Sequence, residues 1–128
     1  MILRVAAGLV LVLHGLVHGW FLALALGFVD LEPEMGWTPR SWLLSPLVSE
    51  DIVLGLAAML YLVAMLGFVV GGLGVAGEVS RSQTVLATAA AISTIILVVT
   101  WNGHFDQLVE QGLVGVVINI AVLVWVFR

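Results

Sequence analysis

The chain contains no cysteine. That excludes disulfides, thiolate metal sites and a cysteine nucleophile. Charge is scarce: 9% of the 128 residues are Asp, Glu, Lys or Arg, against about 25% in an ordinary soluble domain. The bases are fewer still. Arg4, Arg40, Arg81 and Arg128 stand far apart in a chain of net charge −4. No cluster is there to neutralise a run of phosphates, so nucleic acid is not an expected partner. A glycine-rich phosphate loop, a Ser/His/Asp set and a carboxylate pair are also missing. The glycines lie within apolar runs and read as packing residues, so an enzyme is not the favoured reading.

Apolar residues are what the chain has in abundance, at 62%. A soluble protein of this size could not hide so much, and lipid is the solvent that fits. Four apolar runs stand out, at about 5–29, 52–75, 84–101 and 108–127. Each approaches the roughly 20 residues that cross a bilayer as a helix. Backbone groups in hydrocarbon must be satisfied within the segment, so the runs are expected to be helices and not strands. The fold class expected is all-α: one integral membrane four-helix bundle spanning 1–128, with one interfacial outer loop containing a short helix. The first run is longer than the apolar core of a secretory signal and only one arginine precedes it, so it is read as a retained span, although Ala23-Leu24-Ala25 resembles a cleavage site.

Charge sets the expected orientation. With four spans, both termini share a side with the connection at 76–83. That side carries Arg4, Arg81 and Arg128 against Glu78. The other carries Arg40 with Asp30, Glu32, Glu34, Glu50, Asp51, Asp106 and Glu110. The positive-inside rule therefore predicts a multi-pass protein of the cell's inner membrane with both termini cytoplasmic. In the long outer loop, Thr38-Pro39 reads as an N-cap and first helical residue for a short helix over 39–44, with Trp37 and Trp42 at the headgroup belt. Ser49 before Glu50 and Asp51 reads as the start of the second span, and Ser82 as the cap of the third. Gly103 reads as the residue just past the third span's end, with only a short turn before the fourth. Gly71, Gly72, Gly74 and Gly77 are expected to loosen the end of the second span.

His14 and His18 give the chain its centre. They sit four residues apart near the middle of the first span, hence on nearly one helix face, and ionisable groups at bilayer depth are costly and rarely idle. Aligning the spans by their centres brings Tyr61, Ser93, Thr94 and Asn119 to a similar depth. The expected ligand-binding set is His14, His18, Tyr61, Thr94 and Asn119. In the fourth span Gly112, Gly115 and Asn119 share a face; in the first, Gly8, Gly15 and His18 do, and Gly15 to Gly19 is a GxxxG match. The Gly/His face of the first span is expected to meet the Gly/Asn face of the fourth. His18 should lie deeper in that contact and His14 nearer the edge of a crevice.

Arg4, Gly8, His14 and Gly15 also resemble the first helix of DoxX-like small membrane proteins, which have four helices and about this length. His18 and the long acidic first loop depart from that pattern. The resemblance implies a membrane subunit or accessory protein, sometimes linked to quinone or sulfur redox chemistry, and confers no catalytic set.

The reading placed first is a non-enzymatic subunit or accessory protein whose midplane site holds a quinone-like or other small polar ligand. The alternative is a small proton-coupled transporter using His14 and His18. A haem or metal protein comes third. Two histidines on one helix face cannot sandwich a haem iron, and a zinc site lacks its third and fourth ligands. No particular cofactor is indicated. Lipid is the expected partner, and the small-residue faces also allow a homo-oligomer or a place in a larger membrane complex.

Overall fold

The structure is a computed structural model and describes residues 1–30 and 37–128. Glu32 and Glu34, two of the acids in the outer-loop charge count, lie outside the described residues. Among the described residues four α-helices follow one another: α1 (Ile2–Ala25), α2 (Glu50–Ala76), α3 (Ser82–Val99) and α4 (Leu113–Val126). A 3-10 turn, Phe105–Gln107, precedes α4. The described residues contain no strand. The first three helices are long and apolar enough to cross a membrane; α4, at 14 residues, is shorter.

The helix ends differ from expectation for identifiable backbone reasons. α1 stops at Ala25 because Gly27 takes φ +70°. The amides of Gly27 and Phe28 then close back on the carbonyls of Leu24 and Ala23, which satisfies the last turn. α2 begins after Ser49, with Glu50 and Asp51 in the first turn, where the helix dipole favours acids; the Ser49 side chain itself makes no capping bond. Ser82 does not cap α3 either. It is already helical, and its Oγ donates to Val79 O at 2.8 Å. α3 ends at Val99, so Gly103, at φ +88°, turns the loop beyond and not the helix end. The connection to α4 is no short turn. It runs over 100–112 and ends at Gly112, whose φ of +109° is open to glycine and strained for other residues.

The loop segment 39–44 is not a regular helix. Residues 42–47 form successive turns, and Thr38 Oγ1 is buried without a partner among the described residues. Ser41 does what was expected of Thr38: its Oγ accepts from the amides of Leu43 and Leu44. The Ser41 hydroxyl also donates to Val99 O, Trp42 Nε1 to Val98 O and Trp42 N to Trp101 O. The loop thus supplies donors to the carbonyls at and just beyond the end of α3, which the helix cannot satisfy itself. Trp42 remains half exposed, but Trp37 is buried among Phe21, Tyr61 and Ile96 instead of lying at a belt.

Packing follows chain order, α1 on α2, α2 on α3 and α3 on α4. The glycines explain the close approaches. A methyl at Gly8 would lie 2.5 Å from Gly72 O, and one at Gly72 2.7 Å from Gly8 O. Gly15 faces Phe68 and Met65, and Gly19 faces Met65. The glycine face of α1 therefore meets α2, not α4 as the spacing suggested. Gly67, Gly71 and Gly74 receive Ala89, Leu86 and Ser82 of α3, so these glycines tighten the α2/α3 contact and do not loosen the end of α2. Gly112 and Gly115 accommodate Leu97. Two apolar clusters result. One, around Phe21, Leu24, Tyr61 and Ile96, lies toward the loop end, with residues 37–49 and 100–112. The other, around Leu11, Phe68, Leu86 and Val122, lies toward the terminal end. A polar layer lies between them.

Candidate functional site

That polar layer is built from three helices. α1 contributes His14 and His18, α3 contributes Ser93 and α4 contributes Asn119. Ser93 and Asn119 are fully buried, and His18 and His14 are 2% and 6% exposed. His18 is thus the deeper imidazole, as its place on the helix predicts. His14 Nε2 is 2.9 Å from Asn119 Oδ1, and Asn119 Nδ2 donates to Ser93 Oγ at 2.7 Å. Ser93 Oγ is 2.5 Å from His18 Nε2, and His18 Nδ1 is 3.0 Å from the carbonyl of His14. The bonds form a ring that leaves α1, crosses α4 and α3, and returns to α1.

The residues fall together because each helix repeats with the same period. On α3, Leu86, Ala89, Ala90, Ser93, Ile96 and Leu97 make up one buried face. On α4 the buried residues are Asn119 and Val122. α2 closes the site from the fourth side with Phe68, which is fully buried. Its ring meets His14 edge-on at 4.6 Å and stacks on His18 at 5.5 Å between centroids. Phe68 gave no signal in the sequence, because nothing but packing marks it.

Two of the five expected residues stand apart from the ring. The Thr94 hydroxyl donates to Ala90 O within its own helix, and its neighbour Ser93 takes the interhelical role. Thr94 lies one residue, hence about 100°, off the buried face of α3. Tyr61 is buried one layer toward the loop end, bonded to Thr100 Oγ1 at 3.1 Å, with its ring 6.3 Å from that of His18. It borders the site and bonds none of its members.

α1 and α4 meet through the His14–Asn119 bond and otherwise leave a crevice of about 260 Å³. His14, His18, Phe21, Leu97, Gly115 and Ile118 are among its lining residues, and Glu110 stands at its loop end. A second apolar groove of about 380 Å³ follows along the same pair of helices, past Val10, Leu11, Ile118, Val122 and Trp125. Among the described residues no three His, Cys, Asp or Glu side chains converge as metal ligands would. No protein-family model, curated protein or solved structure matches this chain.

Proposed function

We infer that the chain is a small four-span membrane protein, a non-enzymatic subunit or accessory protein that holds a lipid-soluble ligand with a polar head between α1 and α4. The observation that carries this is the crevice itself: a lateral opening lined by His14 and His18, the two imidazoles of the interhelical polar ring. Ligand sites are typically apolar clefts with a few polar groups aimed inward. The three long apolar helices support the membrane setting, with α4 and the turns before it making the fourth crossing. The ion pair between Arg4 and Glu78 joins the start of α1 to the connection after α2, which supports placing the N-terminus and that connection on one side. By the excess of arginine there, that side is cytoplasmic. The DoxX-like pattern at Arg4, Gly8, His14 and Gly15 favours a quinone-type head group.

The binding test is photo-crosslinking in nanodiscs with a short-tailed hydroquinone bearing a diazirine. Labelling should concentrate on α1 and α4 around Val17 and Ile118. Val17→Trp should suppress it, because half-exposed Val17 forms the lip of the crevice. Uniform labelling of all four helices, indifferent to Val17→Trp, rejects the reading. Orientation is tested separately in this cysteine-free chain with Ser49→Cys and Ser80→Cys, both exposed positions. An impermeant maleimide on intact cells should label the first and not the second.

A further inference from the structure

We propose that the crevice selects ligands that donate a hydrogen bond, namely apolar phenols, hydroquinones and alcohols, and that His14 Nδ1 is the atom that accepts it. This rests on the binding reading above and adds a polarity to it.

The direction of every bond in the ring follows from one carbonyl. The oxygen of His14 can only accept, so His18 Nδ1 carries a proton and donates to it. Neither imidazole bonds a carboxylate among the described residues, and an unpaired charge at this depth is costly, so both rings are neutral. His18 Nε2 is then a lone pair, and the Ser93 hydroxyl must donate to it. With its proton committed, Ser93 Oγ accepts from Asn119, which fixes the amide with its nitrogen toward Ser93 and its oxygen toward His14. Asn119 Oδ1 accepts, so His14 Nε2 carries the proton of its ring. What remains is His14 Nδ1, a lone pair without a hydrogen bond among the described residues.

Among the described residues that lone pair sits on the one side-chain nitrogen or oxygen of the ring that makes no hydrogen bond at all, and it belongs to the histidine that lines the crevice. Gly115 keeps the nearby ring edge uncovered: a methyl there would come into van der Waals contact with His14 Cε1, at 3.9 Å. A ligand with only carbonyl or ether oxygens would set lone pair against lone pair. A hydroxyl would complete the site, its apolar body lying among Val17, Leu97 and Ile118 and its tail along Leu11, Val122 and Trp125.

The test uses para-octylphenol and its methyl ether, para-octylanisole, which differ in the donor and hardly in shape, as competitors of the hydroquinone crosslink. The phenol should compete about tenfold better, the equivalent of 1.4 kcal/mol. In His14→Leu the crosslink itself should weaken severalfold, and the preference of what remains should shrink to within about twofold. Equal competition by phenol and ether in the unmodified protein overturns the inference and leaves the crevice reading standing. Failure of both to compete, with the crosslink spread over all helices, overturns the two together. Should His14→Leu not assemble, ring-nitrogen NMR of the unmodified protein decides. His14 Nδ1 should be unprotonated and should shift with the phenol alone. A proton on that nitrogen before any ligand is added overturns the assignment.

Discussion

α1 meets α2 on one side and α4 on another, and treats the two differently. Toward α2 it presents Gly8, Gly15 and Gly19, and the backbones close until each of Gly8 and Gly72 fills the space where the other's side chain would begin. Toward α4 it presents His14, with His18 beside it bonded to Ser93 of α3, and α1 and α4 are held by a hydrogen bond beside a cavity. Helices in lipid gain little from burying apolar surface against one another; they associate through close packing and through hydrogen bonds. α1 uses the first device on one side and the second on the other. The close seam is a platform with no room for a guest. The hydrogen-bonded seam leaves room, because a bond between long side chains holds two helices without bringing their backbones together.

The largest way to break this contrast is to place a side chain in the close seam. Gly8→Val puts a Cβ against the backbone oxygen of Gly72, which no rotamer change relieves. A loss of about 3 kcal/mol is expected, the upper part of the overpacking range, read as a lowered midpoint of thermal unfolding in detergent. A loss near zero would mean that the two helices are free to separate. Next comes the polar seam. Asn119→Leu removes two interhelical bonds and leaves His14 Nε2 and Ser93 short of partners. About 1–3 kcal/mol is expected, from two bonds at roughly 0.6–1.7 kcal/mol each. If the seams are independent, the two losses should add in the double variant. The smallest effect sharpens the boundary of the site. Thr94→Ala deletes a hydroxyl bonded only to its own helix, and should change stability by less than about 0.5 kcal/mol, with crosslinking unaltered. A loss as large as that of Asn119→Leu would return Thr94 to the site.

Much of the ring was legible in advance. His14, His18 and Asn119 are polar residues in apolar runs, and their spacing from glycines marked a face. Depth was legible too, since centring the spans placed Ser93 and Thr94 at the right level. Choosing between those adjacent residues required the whole row of α3, where Leu86, Ala89, Ala90, Ile96 and Leu97 are buried with Ser93. Which helix a glycine face meets was not legible. Spacing fixes the face and says nothing of the partner, and Gly8 and Gly15 turned to α2. The start of α4 was hidden for another reason. Leu108 and Val109 extend the apolar run, but hydropathy reports composition, and the helix begins only where Gly112 releases the backbone from its left-handed turn. Trp37 misled because an aromatic residue near a helix end suits a wet boundary and a core equally well.

The short α4 bears on how a guest would arrive. Fourteen residues give about 21 Å of helix, against a hydrocarbon layer of about 30 Å. The shortfall lies at the loop end, where Asp106 and Glu110 are exposed in the turns before α4. A bilayer answers such a mismatch by thinning, drawing headgroups and water down along the deficient helix. On the proposed four-span reading such a dimple would form beside Glu110, at one end of the crevice. There the interface itself would bend toward the imidazoles, and an amphiphile drifting in the leaflet would be carried part of the way to His14 before leaving the membrane surface.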